Sequence, residues 1–244
     1  MSNCLMIALF QGDHGRGIPE RIKQRVKEAG PDIFCLPEYF MVSPEANSIL
    51  PSAEHHAEYL RYLRALSIEL DCALAGPTLL FNSGKGYFNT CYFISNGEVL
   101  GQYSKVHPFK NEGRGQVLAG SEYVVVPFKG IKVGLLICAD VLHPESYVDI
   151  ARLQPDLVII PVTSPLREGE SIEQKYKRDD ELFLSGARLA HCPVVKVGSY
   201  GKIAGRQLQG RSLIAMPDRI IFRVLPEDEL KEAFKIVELP IQLA

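Results

Sequence analysis

Short apolar and β-branched runs recur from one end of the chain to the other, at 4–10, 32–36, 72–76, 90–94, 122–127, 131–137, 157–161, 193–197, 212–216, 219–225 and 234–239. Runs of this length bounded by turn residues read as strands, and there are too many of them for a simple doubly wound sheet. Helical patterns lie between some of them. "PERIKQRVKEAG" opens with Pro19 at a plausible first helical position and closes on Gly30, the usual asymmetry of helix ends. "AEHHAEYLRYLRALSIEL" sets Tyr59, Leu60, Leu63, Leu66 and Leu70 on one face, at spacings of three and four. Residues 173–190 read as a third helix, with Leu182 and Leu189 in its apolar stripe. Asn96-Gly97 in "CYFISNGEVLGQYS" is a hairpin signal. Strand pairs joined by turns thus alternate with strand–helix–strand segments, and mixed sheets covered by helices follow. No linker, repeat or low-complexity tract interrupts the sequence, so residues 1–244 are expected to form a single α/β domain.

Charge and cysteine usage narrow the classes of function. A net charge of -2 supplies no basic field for nucleic acid or an acidic membrane, which points to a small molecule or another protein as partner. Six cysteines, at 4, 35, 72, 91, 138 and 192, are scattered without CxxC spacing, so neither a zinc knuckle nor a disulfide framework is suggested. The first apolar stretch has no basic start and breaks at Gln11-Gly12, short of a signal peptide. Elsewhere no apolar run reaches the roughly 20 residues of a membrane helix. A cytoplasmic protein with reduced thiols is expected.

Three segments place a reactive side chain just beyond a strand-like run: Glu38 in "IFCLPEYF", Lys105 in "LGQYSKVHPF" and Cys138 in "GLLICADVLHPE". Strand ends that share an edge are where α/β folds build sites. Taken singly, each has an ordinary explanation. A cysteine closing a buried strand is usually packing, a glutamate after proline usually belongs to a turn, and a lysine after a hairpin is usually a solvated rim residue.

Together and in this order they resemble the nitrilase superfamily of carbon-nitrogen hydrolases, whose signature is a glutamate after "PE", a lysine in "K-x-H" and a cysteine in "C-x-D". The separations are 67 residues from Glu38 to Lys105 and 33 from Lys105 to Cys138. "FNTCYFISNGEVLGQYSKVHPF" (88–109) resembles the family's Asn-Thr strand, hairpin and lysine segment, and "DLVIIPVTSP", "GARLAHCPVVKVGSYG" and "GRSLIAMPDRII" resemble its later strands. The resemblance spans nearly the whole chain.

What it implies is specific. The fold would be a four-layer αββα sandwich, two central mixed sheets flanked by helices, pairing into a homodimer or a larger homo-oligomer. Residues 173–190 are a candidate for that contact, and burial within the monomer would explain their stripe equally well. Cys138 would attack an amide carbonyl, Glu38 would carry the proton, and Lys105 with the Ala139 backbone N–H would stabilise the oxyanion. Glu112 in "KNEGRGQVLAG" matches a second glutamate that often accompanies the triad, although here a glycine-rich loop replaces a bulkier segment. The chemistry accounts for the set, since a poorly electrophilic amide needs a thiolate, a proton shuttle and positive charge at the developing oxyanion. The substrate would be a small linear amide, turned over without metal or organic cofactor. Nitrile cleavage is disfavoured because Ala-Asp follows Cys138 where nitrile-cleaving members tend to have Trp-Glu; an N-carbamoyl substrate stays open. Arg211 stands where the family commonly has histidine, and Tyr39, Phe109 and Arg211 are candidate pocket residues.

Two rival readings remain. "GDHGRG" (12–17), between a first strand and a helix, is a possible phosphate-cradling loop for a nucleotide, although its spacing matches neither the dinucleotide nor the P-loop pattern. Cys138 is also a candidate for pairing with His143 or His107 as a cysteine–histidine dyad.

Overall fold

In a computed structural model that describes residues 3–241, two six-stranded sheets lie face to face. The first runs in the order β14 (Ala233–Ile241), β1 (Asn3–Gln11), β2 (Ile33–Cys35), β3 (Ala73–Asn82), β4 (Tyr87–Ser95), β5 (Glu98–Ser104). The second runs β13 (Ile220–Arg223), β12 (Leu213–Ala215), β9 (Val194–Gly198), β8 (Leu157–Val162), β7 (Ile131–Leu135), β6 (Val124–Phe128). Each has a parallel centre, β1-β2-β3 and β7-β8-β9, with antiparallel strands on both sides. A two-residue hairpin, β10 (Lys202–Ile203) with β11 (Arg206–Gln207), stands apart.

Side-chain alternation shows how the layers stack. Along β1, Ile7 and Leu9 enter the core between the sheets while Ala8 and Phe10 face outward to the helices. Ile33 and Cys35 against Phe34, and Ala73 and Ala75 against Leu74, repeat the pattern, as a period of two demands. The outer face of the first sheet is covered by α1 (Glu20–Ala29), through Ile22 and Val26, and by α2 (His56–Glu69), through Leu63 and Leu66. The second is covered by α3 (Pro144–Ala151) and α5 (Ser185–Ala190), through Tyr147, Ile150, Ala187 and Ala190. The four-layer αββα arrangement anticipated from the sequence is the one observed.

Two details differ from the sequence reading. Residues 173–190 are not one regular helix: α4 (Ile172–Asp179) passes through a π-helical turn, Asp180–Leu184, into α5. The extra residue per turn re-aims the face, so Phe183 is buried while Leu189 stays 37% exposed. A 3-10 turn, Leu50–His55, also precedes α2. Among the described residues no helix is long and apolar enough to cross a membrane.

Candidate active site

The parallel centres of both sheets deliver their strand ends to one cavity of about 560 Å³, a size suited to a small ligand. Glu38, Lys105, Glu112 and Cys138 all line it. Glu38 is the third residue after β2. Gly76 in β3 lets the chain pass close there: a Cβ on it would lie 2.3 Å from the Leu36 carbonyl oxygen, and its φ is +100°. Lys105 follows β5 directly, and Glu112 opens a short 3-10 turn whose Gly113 takes a left-handed conformation, folding the carboxylate inward. The glycine-rich loop is therefore what buries Glu112.

At the centre, the Lys105 ammonium donates to Glu38 Oε1 at 2.9 Å and to Glu112 Oε2 at 2.8 Å. Asn89 Nδ2 bridges the same two carboxylates at 2.8 Å each. Glu112 also accepts from the Tyr39 hydroxyl at 2.6 Å and the Phe109 N–H at 2.8 Å. Glu38 Oε2 accepts the Thr163 N–H from the end of β8 at 2.9 Å. The side chains of Glu38 and Lys105 are each only 2% exposed.

Cys138 begins a 3-10 turn just past β7, with φ at +41°. A non-glycine residue in that region is strained, and such strain collects at functional sites. Of the six cysteines it alone lines the cavity; Cys35, Cys72, Cys91 and Cys192 are buried and Cys4 is exposed elsewhere. Its thiol approaches the Thr163 carbonyl at 3.5 Å. Asp140 ties the turn to the lysine loop: its carboxylate accepts from the Ile137 N–H, the His107 N–H and the Tyr103 hydroxyl, at 2.7–2.8 Å.

The titration behaviour of the four groups follows from this geometry. Burial pushes the Glu38 carboxyl above the usual carboxylate range; Lys105 pulls it back and Glu112 pushes it up again. Burial acts the same way on Glu112, but there Lys105, Tyr39 and the Phe109 N–H win and hold it below that range. For Lys105, burial opposes the charge and is outweighed by Glu38, Cys138 and Glu112, so the ammonium is held well above its ordinary value. Burial first, then the Glu38 charge, keep the Cys138 thiol protonated well past its usual pKa despite Lys105. The site at rest is a neutral thiol beside a permanent ammonium, with two carboxyls of opposite tendency. Pairs driven apart in this way mark acid–base assignments.

Neither alternative histidine reaches the thiol. His107 and His143 stack on each other with ring centroids 3.9 Å apart, His107 bonds the Tyr123 hydroxyl, and neither lines the cavity. The "GDHGRG" segment is not an open cradle of amides. The Gly15 N–H bonds the Phe40 carbonyl, the His14 N–H bonds Asp13, and the His14 ring is buried between the Tyr39 carbonyl and Ser199. Tyr39, Phe109 and Arg211 do line the cavity. The part played by Asn89 and Thr163 was missed; an Asn-Thr pair inside an apolar strand was the available signal for the first.

The carbon-nitrogen hydrolase family model matches residues 17–243. A deaminated glutathione amidase of Dictyostelium discoideum is 26% identical over 234 residues, covering 85% of this chain and 79% of the relative. A glutamine-dependent NAD(+) synthetase of Rhodobacter capsulatus is 23% identical over 215 residues, covering 84% of this chain. The chain spans only 37% of that synthetase's length. Among solved structures, an amidase from Nesterenkonia sp. superposes with a TM-score of 0.81 at 21% identity, covering 98% of this chain and 92% of that one. A Glu-to-Gln mutant of the Nesterenkonia sp. AN1 amidase, with the acetamide moiety of fluoroacetamide added covalently at its active-site cysteine, superposes with a TM-score of 0.81 at 22% identity, covering 97% and 90%.

Proposed function

This chain belongs to the carbon-nitrogen hydrolase family, and from that premise we propose that it hydrolyses a small linear amide through a thioester on Cys138. The observation that carries the reading is the convergence of a partly accessible thiol, a buried ammonium and a carboxyl of raised pKa on one cavity.

The steps balance as follows. Cys138 sulfur bonds the amide carbon while Glu38 takes the thiol proton, and the carbonyl oxygen gains negative charge beside Lys105 and the Ala139 N–H. Collapse breaks the C–N bond, and Glu38 passes its proton to the leaving nitrogen, releasing ammonia or an amine. Water then attacks the thioester; Glu38 takes a water proton and returns it to sulfur as the carboxylic acid departs. Because the thiol is held protonated, it must lose its proton in the attacking step. A base whose own pKa has been raised suits that transfer.

Division of labour follows from the opposite titration of the two carboxyls. Glu112, held ionised, fixes the ammonium; Glu38 moves the proton. An N-carbamoyl compound fits the same steps. Association of two or more copies through 173–190 would cover Leu189, 37% exposed, and the adjoining Ile172, 56% exposed, and sedimentation of the purified protein tests it. For the reaction itself, purified protein is incubated with a panel of small amides and carbamoyl compounds. Ammonia is assayed and the intact mass recorded. An acyl adduct located at Cys138 and missing from Cys138→Ala is expected; an adduct at Cys35 or Cys192 overturns the assignment.

A further inference from the structure

The turn that carries Glu38 is strained, and a buried imidazole holds it. Tyr39, the next residue, has φ at +55°, a left-handed conformation that a bulky side chain keeps only where its surroundings impose it. Its surroundings do so from several directions. The Glu38 carbonyl accepts from the Thr163 hydroxyl at 3.1 Å, the Tyr39 N–H donates to Thr78 Oγ1 on β3 at 3.0 Å, and the Gly15 N–H donates to the Phe40 carbonyl at 2.9 Å. The Tyr39 carbonyl itself accepts from His14 Nδ1 at 2.9 Å.

His14 belongs to the "GDHGRG" segment that follows β1. Gly15 shows what that segment packs against: its φ is +61°, and a Cβ there would stand 2.7 Å from Ser43 Cα and 2.8 Å from the Val42 carbonyl oxygen. The segment is pressed onto the turn after Glu38. The His14 side chain is fully buried, and both ring nitrogens are used. A carbonyl can only accept, so the ring proton lies on Nδ1, and Nε2 is left to accept from the Ser199 hydroxyl at 2.7 Å. Ser199 follows β9 in the second sheet, whereas β1 lies in the first. The ring is therefore a strut between the sheet whose strands lead into Glu38 and Lys105 and the sheet whose strand leads into Cys138. Burial lowers its pKa to about 4 despite the bond to Tyr39, so the neutral tautomer persists at neutral pH.

We propose that His14 is a positioning residue of the active site: by holding the Tyr39 carbonyl it fixes the turn that sets Glu38 against Lys105 and the Tyr39 hydroxyl against Glu112. The inference rests on the hydrolase reading above. One bond matters because two contacts hang on the same turn. Glu38 meets Lys105 at 2.9 Å and the Tyr39 hydroxyl meets Glu112 at 2.6 Å, so a swing of the 39–40 peptide displaces both. The strained turn at Cys138 has Asp140 as its fastening; His14 is the counterpart on the side of the base.

Three replacements separate the two bonds of the ring. His14→Asn places an amide N–H where Nδ1 stands and keeps the bond to Tyr39. His14→Gln extends to the position of Nε2 and keeps the bond to Ser199 alone, and His14→Phe fills the space with neither. Acetamide, butyramide, glutaramate and N-carbamoylglycine are the probes, and kcat and KM are measured on the one that the wild-type protein turns over fastest. In His14→Gln and His14→Phe, kcat should fall roughly tenfold to a hundredfold, the range for a displaced catalytic group, with KM nearly unchanged. His14→Asn should retain most of the wild-type kcat. Asn and Gln each keep one bond of two, so their urea midpoints should be alike, and a ring that only stabilises the fold would give them equal kcat. Equal kcat in those two variants overturns the positioning role, as does a raised KM with kcat intact. If His14→Gln and His14→Phe do not fold, Thr78→Val releases the Tyr39 N–H from the opposite side, and an unchanged kcat there overturns the proposal. Wild-type turnover of none of the four probes, with Cys138 unmodified, overturns the hydrolase reading and this inference together.

Discussion

The two buried charge clusters of this cavity are out of balance in opposite senses. Around Lys105, one ammonium serves two carboxylates; on the opposite wall, four cations, Lys175, Arg178, Lys196 and Arg211, serve three carboxylates, Glu170, Asp179 and Glu229. Burial and the Glu112 charge push Glu38 above the carboxylate range, and under the proposed mechanism the proton it takes up comes from the Cys138 thiol, which burial keeps protonated. In the second cluster the arginines keep their charge, while burial lowers Lys196 to about 8, so the surplus there can leave as the Lys196 proton.

Removing the nucleophile tests whether the first cluster does chemistry at all. Cys138→Ala should lower turnover at least about a thousandfold; ammonia release under saturating amide measures it. Retention of more than a tenth of the wild-type rate would move the reaction to another group. Since alanine accepts the same half-buried position, the urea midpoint should shift little.

Stability separates the clusters next. Lys105→Met leaves Glu38 and Glu112 facing each other without a cation, and breaking a buried pair in this way costs roughly 3–5 kcal/mol. Arg211→Met leaves three cations with three carboxylates, so the loss should be smaller, about 1–2 kcal/mol, mostly for the hydrogen bond to the Lys175 carbonyl. Urea denaturation of both variants checks the order. If Arg211→Met is the more damaging, the wall is the more tightly coupled of the two networks.

The two clusters were unequally legible in the sequence. Glu38, Lys105 and Cys138 stood out because each follows an apolar run, and strand ends on one edge converge. Glu112 was reached only through family resemblance, since a carboxylate among glycines looks solvated until Gly113 is seen turning it inward. Asn89 sits 51 positions from Glu38 and Thr163 sits 125, contacts that no local pattern encodes. The opposite wall left almost no trace. Lys196 lies in the run "VVKVG", Asp179 in an ordinary amphipathic segment, and the π-helical turn that follows α4 has no signature in spacing. The strands were readable because alternation is local; the network was not, because its members meet only after α4, β9 and the segment before β12 have packed.

Within the first cluster the two carboxyls are expected to differ in degree. Glu38→Gln removes the proposed proton carrier and should cost about a hundredfold or more. Glu112→Gln removes one of two partners of Lys105 but keeps a hydrogen-bonding side chain, and about tenfold is expected, comparable to losing one charged hydrogen bond. The comparison is made on kcat at a pH where the wild-type protein is fully active. A larger loss from Glu112→Gln would exchange the roles assigned to the two.

The smallest effect is also the most discriminating, because its sign is fixed by the geometry. If Glu38 must be ionised to take the thiol proton, kcat/KM falls on the acid side through the pKa of Glu38 in the free enzyme. Burial and the Glu112 charge raise that pKa above 4.5, so the acid inflection should lie above 4.5 in the wild-type protein. Glu112→Gln acts on it in two ways that agree. It removes the negative charge that raises Glu38, and it leaves Lys105, no longer shared, to favour the ionised form of Glu38 more strongly. The acid limb of the variant should therefore move to lower pH even as its maximal rate drops. A structural defect alone would lower the plateau without moving the limb, and a limb that moves to higher pH would mean that the group titrating there is not Glu38.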